Sequence, residues 1–281
     1  MSLTGKARVA GVMGWPVAHS RSPALHGYWL ARYGVDGSYV PMPVEPANLG
    51  QALKALPVLG FRGANLTIPH KEAALAHVDR VEEAARRIGA INTVVVEDGR
   101  VIGSNSDGYG FISHLRQGAP AWRAAGTAAA VLGAGGAARS ALAMLLEAGV
   151  ERIFLLNRTE DRAAALAKLF GTKVTVLPWA QRAGCLVDVA LLVNTTSLGM
   201  AGQPALDMAL DRMPSGAVVY DIVYVPLETP LLRAARARGL HGVDGLGMLL
   251  HQARPGFKAW FGVDPEVTPD LHAAIAATIP S

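Results

Sequence analysis

The chain has 281 residues, of which 51% are hydrophobic and 17% charged, so it can bury two cores of ordinary domain size. Its formal net charge is +4, and the Lys and Arg residues are scattered without a basic run, which excludes typical nucleic acid binding. A single cysteine, Cys185, excludes an internal disulfide. The sequence shows neither a leader-like N-terminus nor an apolar run of about 18 residues, so we expect a cytoplasmic protein that does not span a membrane.

The first part of the chain alternates strand-like and helix-like segments in a βαβαβ order. Strands are predicted at 9–13, 38–44 and 61–68, and helices at 23–33 and 46–56. In the helix at 23–33, Ser22 is expected as the cap, because Pro23 lacks only an N–H that would be unpaired in the first turn.

A polar helix at 71–88 is predicted next, ended by Gly89. Strands at 92–96 and 101–102 flank Asp98-Gly99, a pair that predicts a hairpin turn. A helix at 107–115 and a Gly, Pro and Ala stretch at 117–126 then lead to a second domain.

The strands of the second domain are continuous apolar runs, which predict a parallel sheet covered on both faces. These runs are 129–132, 153–156, 174–177, 189–193 and 218–222. Two helices close the chain at 246–260 and 269–277, the latter with Thr268 as its cap, and we expect both to pack on the first domain.

A glycine-rich turn, Gly133-Ala134-Gly135-Gly136-Ala137-Ala138, follows the first of these strands and precedes an alanine-rich run. Such a turn lets the backbone approach a pyrophosphate, which the next helix N-terminus binds through its N–H groups. A site that prefers NAD has Asp or Glu after the second strand. That place holds Arg158, with Arg162 one turn later, and a guanidinium binds a 2′-phosphate well. The pattern therefore predicts an NADP site.

These patterns predict an α/β fold of two domains: an N-terminal α/β substrate domain and a Rossmann-type NADP-binding domain with a central parallel sheet. The substrate domain is assigned to 1–107, completed by the C-terminal helices at 248–281, and the NADP-binding domain to 108–247.

Polar residues cluster in the first domain at positions where a structural strand or turn does not need them. In Asn65-Leu66-Thr67, strand alternation predicts that the two polar side chains share a face at the carboxyl end of the strand. Lys71 lies just beyond, and an Asp near the later hairpin, Asp107, can pair with it as acid and base.

Segments along nearly the whole chain, from 11 to about 265, resemble the shikimate dehydrogenase family. The matching segments are 14–23, 65–72, 89–93, 105–108, 194–197, 221–224 and 244–253. The resemblance implies NADPH-dependent reduction of 3-dehydroshikimate to shikimate, a step of the pathway to chorismate and the aromatic amino acids. Two departures, Ser106 for threonine and His70 for phenylalanine, remove no group that this chemistry requires.

The same resemblance implies a role for each matching residue. Lys71 and Asp107 form the catalytic pair. Ser20 and Ser22 correspond to residues that bind the substrate carboxylate. The residues around the substrate hydroxyls and ring correspond to Asn65, Thr67, Lys71, Asn92, Asp107, Tyr224 and Gln252. The cofactor residues correspond to Glu83, Gly133, Ala134, Gly135, Gly136, Ala137, Asn157, Arg158, Thr159, Arg162, Ile222, Gly245 and Met248.

Other interpretations of the chain stay open at this point. It can be a catabolic quinate/shikimate dehydrogenase, which often carries an acidic residue where Arg158 stands, or a non-catalytic NADP-sensing protein. Without its family context, Lys71 is a surface lysine and Asp107 a helix cap or turn residue. No metal site is expected, because the His residues lack ligand spacing. We expect a small-molecule substrate, no nucleic acid or membrane partner, and a monomer or homodimer.

Overall fold

The computed structural model describes residues 3–279, which form two compact units. One comprises the chain through Asp107 together with Gln252–Thr278, and the other comprises Gly108–His251. The first boundary coincides with the end of the segment assigned as 1–107, and the second falls within a helix. Residues 1–2 and 280–281 of the domain assignment lie outside the described residues.

The first unit contains a mixed sheet of six strands within the described residues. The strands are β1 (Arg8–Gly14), β2 (Gly37–Pro43), β3 (Phe61–Leu66), β4 (Arg80–Val81), β5 (Thr93–Glu97) and β6 (Arg100–Ser104). Its helices up to residue 107 are α1 (Ser22–Arg32), α2 (Leu49–Val58), α3 (His70–Ala73) and α4 (Glu83–Ile88), with 3₁₀ turns at Pro46–Asn48 and Ala74–Ala76.

The sheet of the first unit has the strand order β2-β1-β3-β5-β6-β4. Strands β1, β2 and β3 are parallel, whereas β5 is antiparallel to both β3 and β6. The β5–β6 hairpin turns at Asp98 and Gly99, both of which have positive φ, so the predicted Asp-Gly turn is confirmed. This hairpin brings residues 92–93 beside residues 104–107.

The single polar helix predicted for 71–88 is wrong. The chain forms α3 and a 3₁₀ turn, then the short strand β4, and then α4. Arg80 and Val81 pair with β6, and Val101 donates its N–H to Asp79 Oδ2 at 2.7 Å. The ladder supplies these residues with the hydrogen bonds that a helix would have supplied, and Val81 packs on the core of the unit.

The Ser22 cap predicted for α1 is also wrong, because Ser22 is the first residue of the helix and the cap position lies one residue earlier. Arg21 occupies the cap position, and its side chain makes no capping bond. Ser20 Oγ instead accepts a hydrogen bond from the N–H of Ser22 at 3.3 Å, so Ser20 satisfies a first-turn donor.

The second unit is built on a fully parallel sheet. Its strands are β7 (Ala128–Leu132), β8 (Arg152–Leu156), β9 (Val174–Leu177), β10 (Val189–Asn194), β11 (Val218–Asp221) and β12 (His241–Val243). Its helices are α5 (Asp107–Gly118), α6 (Gly136–Ala148), α7 (Glu160–Phe170), α8 (Pro230–Ala237) and the first part of α9 (Leu246–Phe261), with 3₁₀ turns at Trp179–Gln181 and Gly184–Asp188. The strand order is β12-β11-β10-β7-β8-β9.

Both faces of this sheet are covered, as the apolar runs predict. Along β7, Ala129 and Val131 belong to one core cluster, and Ala130 and Leu132 to the other. Strand β12 was missed, because three residues containing a His and a Gly do not form an apolar run.

The rest of α9 and the last helix, α10 (Pro269–Ala276), belong to the first unit. Trp260 is buried there and donates from Nε1 to the Val94 carbonyl at 3.0 Å. Thr268 caps α10 by accepting from the N–H of Leu271, so the predicted cap is confirmed. None of the helices between residues 3 and 279 combines the length and apolar character needed to span a bilayer.

Candidate active site and cofactor site

The first unit brings Lys71 and Asp107 together as an ion pair. Lys71 lies in α3, just after β3, and Asp107 is the first residue after the β5–β6 hairpin and its short loop. Lys71 Nζ is 2.7 Å from Asp107 Oδ2, and the two side chains are 32% and 14% exposed. The ammonium is therefore held by a carboxylate but still accessible to a ligand, as a proton donor must be.

Asn92 binds the other oxygen of the same carboxylate. Its Nδ2 donates to Asp107 Oδ1 at 2.7 Å and to Gln252 Oε1 at 3.3 Å. Its Oδ1 accepts from Thr93 Oγ1 at 2.9 Å and from the N–H of Ser106 at 2.8 Å. The Thr93 hydroxyl and the Ser106 N–H donate to Oδ1 and so fix the orientation of the Asn92 amide. Its Nδ2 therefore points toward Asp107 and Gln252.

Asn65 is buried next to Asn92 and belongs to the same hydrogen-bond network. Tyr39 Oη donates to Asn65 Oδ1 at 2.6 Å, and Asn65 Nδ2 donates to the Asn92 carbonyl at 3.1 Å and to Thr93 Oγ1 at 3.2 Å. Burial raises the pKa of Tyr39 well above its ordinary value, so its hydroxyl stays a donor. The amide of Asn65 thus has protein partners on both its oxygen and its nitrogen.

The remaining predicted substrate residues of the first unit differ in exposure. Thr67 is half-buried and lies one residue beyond β3, where its N–H still donates to the Met13 carbonyl at 3.0 Å; the shared face predicted for Asn65 and Thr67 stays a prediction. Ser20 is half-buried, whereas Ser22 is buried at the start of α1.

Two buried side chains behind this network were missed from the sequence. They are Tyr39 and His26, whose rings stack with centroids 3.9 Å apart. Desolvation lowers the pKa of His26 to about 3, so the ring is neutral. No local pattern identifies them, because a Tyr in a strand and a His in a helix are ordinary core residues.

The glycine turn after β7 leads into the N-terminus of α6. Gly133 has φ +108°, and a Cβ there would lie 2.6 Å from Thr195 Oγ1. Gly135 occupies the cap position of α6 and offers no side-chain oxygen to the first-turn N–H groups. A Cβ on Gly135 or Gly136 would meet no atom within 4 Å, so the space in front of the turn is open. The residues therefore fit a dinucleotide phosphate.

The predicted adenosine end lies after β8. Asn157 Nδ2 donates to the Thr159 carbonyl at 2.8 Å, which closes the turn that carries Arg158. Arg158 and Arg162 are exposed, and neither guanidinium forms an ion pair with any residue between 3 and 279. Two cations one helical turn apart are thus available to a phosphate.

The other predicted cofactor residues fall into two groups. Gly245 packs against Ile222, since a Cβ on Gly245 would lie 2.1 Å from the Ile222 carbonyl oxygen, and Met248 follows in the first turn of α9. Glu83 differs from the rest of the set, because it belongs to the first unit, is 87% exposed and lies 3.9 Å from Arg86 Nε. Tyr224, predicted for the substrate, is half-buried and belongs to the second unit.

A buried carboxylate ties the ends of two strands of the second unit together. Asp221, at the end of β11, accepts from Asn194 Nδ2 at 2.9 Å, from the N–H of Val223 at 3.1 Å and from Thr229 Oγ1 at 2.7 Å. Desolvation raises the pKa of Asp221 to about 6, against the opposing effect of these hydrogen bonds. The described residues contain no group of three His, Cys, Asp or Glu that could hold a metal ion.

The comparisons with known proteins agree along the whole chain. Residues 12–94 match the shikimate dehydrogenase substrate binding domain, residues 119–222 the shikimate / quinate 5-dehydrogenase family, and residues 245–275 the shikimate 5′-dehydrogenase C-terminal domain. A shikimate dehydrogenase (NADP(+)) from Rhodospirillum rubrum is 59% identical over 278 residues, which cover 97% of this chain and 98% of the relative.

Two solved structures extend the comparison. A shikimate 5-dehydrogenase from Thermus thermophilus, in complex with NADP(H) and shikimate, has a TM-score of 0.86 and 40% identity, and covers 97% of this chain and 100% of its own. A quinate dehydrogenase from Corynebacterium glutamicum, in complex with NAD, has a TM-score of 0.89 and 30% identity, covering 96% and 99%. Fold and site together define a two-domain NADP-dependent oxidoreductase. The chain belongs to the shikimate dehydrogenase family, as its sequence segments predict.

Proposed function

We propose that this protein catalyses the reversible, NADPH-dependent reduction of 3-dehydroshikimate to shikimate, in the pathway to chorismate and the aromatic amino acids. The observation that carries this proposal is the accessible Lys71–Asp107 pair, with Asn92 on the same carboxylate. The Rhodospirillum relative bears the name of this activity, and the Thermus structure contains both ligands.

In the direction of reduction, Lys71 supplies the proton. Bound NADPH would supply the hydride for the new C–H bond at the carbonyl carbon. The electron pair of the carbonyl π bond moves to the oxygen, where the Lys71 ammonium stabilises the charge and donates a proton to form the O–H bond. Lys71 recovers a proton from water, since its side chain is one-third exposed. Asp107 holds Nζ in place throughout.

The other polar groups of the first unit orient the substrate. In this proposal Ser20 and Ser22 bind the substrate carboxylate, Thr67 and Gln252 bind its hydroxyls, and Asn92 holds Asp107 and Gln252 beside them. Fixed hydrogen-bond partners discriminate strongly between polyhydroxy acids, because a missing hydroxyl leaves a polar group of the site unpaired. For Asn65 the buried partners favour a supporting role beneath Asn92.

The strand order of the second unit supports the proposed division of the cofactor residues. The turn after β7 would hold the pyrophosphate, and Arg158, after the neighbouring strand β8, would hold the 2′-phosphate of the adenosine half. Ile222, Gly245 and Met248, which follow β11 and β12 on the other side of β7 in the strand order, would hold the nicotinamide half. We include Tyr224, after β11, among the substrate residues and keep Glu83 as the weakest cofactor assignment.

Steady-state kinetics with shikimate and quinate, each with NADP and NAD, test the proposal. The expected result is the highest kcat/KM with shikimate and NADP. The likeness to the quinate dehydrogenase makes quinate oxidation with NAD the second candidate, and a preference for that pair would replace the proposal. NADP binding without turnover of either acid would identify a non-catalytic binding protein.

The proposal also includes where the protein acts and how its chain is divided. A cytoplasmic location fits the lone Cys185, whose thiol pKa is raised by burial and which is free in the structure. The assignment of 1–107 with 248–281 to the substrate and 108–247 to NADP is part of the same proposal. A monomer or a homodimer is expected, and light scattering during gel filtration distinguishes the two.

A further inference from the structure

The turn that leads from β12 into α9, residues 244–248, lies at the carboxyl edge of the parallel sheet. Asp244 Oδ1 accepts from the N–H groups of Leu246 at 2.8 Å and Gly247 at 3.3 Å, so Asp244 caps α9. Gly245 packs on the Ile222 carbonyl on one side of the turn. The carboxyl edge of such a sheet is where ligands bind, so the placement of this turn affects the nicotinamide half of the cofactor.

The ring of His114, in α5, supports the other side of this turn. Its Nε2 lies 3.0 Å from the Asp244 carbonyl oxygen. A carbonyl oxygen only accepts, so Nε2 carries the proton. A Cβ on Gly247 would lie 2.0 Å from His114 Cε1, which means that the ring fills the space a side chain at 247 would need.

The surroundings of His114 hold the ring in this position. Its side chain is 10% exposed and is packed edge-on against Tyr220, with ring centroids 5.7 Å apart. Asp244 Oδ1 lies 3.8 Å from Nε2, and the ring of His251 lies 6.1 Å away.

We propose that His114 is a positioning residue for the cofactor: by its hydrogen bond to Asp244 and its contact with Gly247, it holds the turn 244–248 where the nicotinamide half binds. His114 itself touches neither cofactor nor substrate. This inference rests on the proposed function, because it needs the nicotinamide to lie over β10–β12.

Binding of NADP and of 2′,5′-ADP to the His114→Phe variant tests the proposal. Phe keeps the ring volume and removes the hydrogen bond. Because 2′,5′-ADP lacks the nicotinamide half, we expect its Kd to stay within about twofold of wild type, whereas the Kd of NADP rises roughly fivefold, the effect of one lost hydrogen bond. An unchanged Kd for NADP, or an equal rise for both ligands, would overturn the proposal.

His241→Phe is the matched control. His241 Nε2 also donates to a main-chain carbonyl, that of Gly118, but His241 lies at the amino end of β12. We expect both Kd values of this variant to equal those of wild type. A rise in the Kd of NADP equal to that of His114→Phe would contradict the specific role of His114.

Gly247→Ala tests the same contact with His114 intact. Its methyl group displaces the ring or the turn, so the Kd of NADP is again expected to rise while that of 2′,5′-ADP does not. In the double variant His114→Ala/Gly247→Ala, the increase in the Kd of NADP should be smaller than the sum of the increases in the two single variants. Without the His114 ring, the methyl group added at position 247 no longer clashes. Wild-type NADP affinity in Gly247→Ala would refute the proposal.

These binding measurements need no turnover. The proposed function fails if wild-type protein is inactive on shikimate, whereas this inference fails if the Kd values of the variants do not change as expected. The two failures are therefore distinguishable.

Discussion

At the scale of single residues, the site depends on what surrounds Lys71. A lysine that starts a polar helix is a solvated surface residue in most proteins. Here its ammonium is 2.7 Å from Asp107, whose second oxygen is bound by Asn92. The carboxylate therefore has a hydrogen-bond donor on each oxygen, and the lysine is held in one position for proton transfer.

Lys71→Ala is expected to lower kcat for shikimate oxidation by roughly 10²–10⁴-fold, the typical contribution of a positioned acid or base. The Kd of NADP should stay near wild type, because Lys71 belongs to the first unit, whereas the glycine turn and Arg158 belong to the second. Stopped-flow or steady-state absorbance at the nicotinamide band measures the first, and titration calorimetry the second. Lys54→Ala, an exposed lysine of α2, is the control. An equal loss of cofactor binding would mark Lys71 as structural.

Arg158→Ala is expected to raise KM for NADP by roughly 10- to 100-fold, the effect of a lost charged hydrogen bond, and to leave KM for NAD nearly unchanged. The physical reason is that only NADP carries the 2′-phosphate. Arg152→Ala is a matched control, because Arg152 lies at the amino end of β8 and stacks on Phe154, whereas Arg158 follows the carboxyl end of the same strand. Similar changes for the two cofactors in Arg158→Ala would rule out this role.

At the scale of elements, strand ends are held together by buried polar groups. Asp221 links β11 to β10 through Asn194 and to the cap of α8 through Thr229. Its pKa of about 6 in the folded protein exceeds the value of 3.8 expected when it is exposed. The folded state therefore retains this proton to a higher pH than the unfolded chain does. The contribution is fully present below 3.8 and is lost as pH rises through about 6.

Asp221→Asn is expected to remove this pH dependence. The difference in unfolding free energy, wild type minus variant, should fall by roughly 3 kcal/mol between about pH 4 and about pH 7, because a shift of about two pKa units corresponds to that energy. Urea denaturation across the pH range measures it. Asp211→Asn, at a side chain that is 86% exposed, is the control. A flat difference for Asp221→Asn would show that the carboxyl titrates normally.

At the scale of the whole molecule, each unit has its own sheet and its own polar cluster. The Lys71, Asn92, Asp107 and Gln252 side chains belong to the first unit, and the glycine turn and Arg158 belong to the second. Gln252 reaches Asn92 across 160 residues of sequence, because the end of the chain returns to the unit in which it began.

Hydrogen exchange tests whether the cofactor binds the second unit and the substrate binds the first. We expect 2′,5′-ADP to slow exchange in peptides covering 133–138 and 157–162, and shikimate to slow it in peptides covering 65–71 and 92–107, because bound ligands reduce local opening. Mass spectrometry of peptic fragments reads both. Protection of 65–71 by 2′,5′-ADP with no effect at 133–138 would contradict the assignment.

Local steric and electrostatic patterns were sufficient to predict much of this protein. The glycine turn, the basic strand end at Arg158, the Asp98-Gly99 hairpin and the Thr268 cap each depend on residues close in sequence, so the sequence alone determined them. The family segments likewise predicted Lys71 and Asp107 as a pair, and the two side chains lie 2.7 Å apart.

Only the tertiary structure decided features that depend on distant partners. The segment 71–88 contains β4 because β6 offers it a ladder, and β12 exists because β11 does. The amide of Asn65 is bound by Tyr39 and Thr93, and His114 meets Asp244 across 130 residues. Hydrogen bonds and packing between such distant residues leave no local pattern, because each partner alone has the sequence of an ordinary helix or strand.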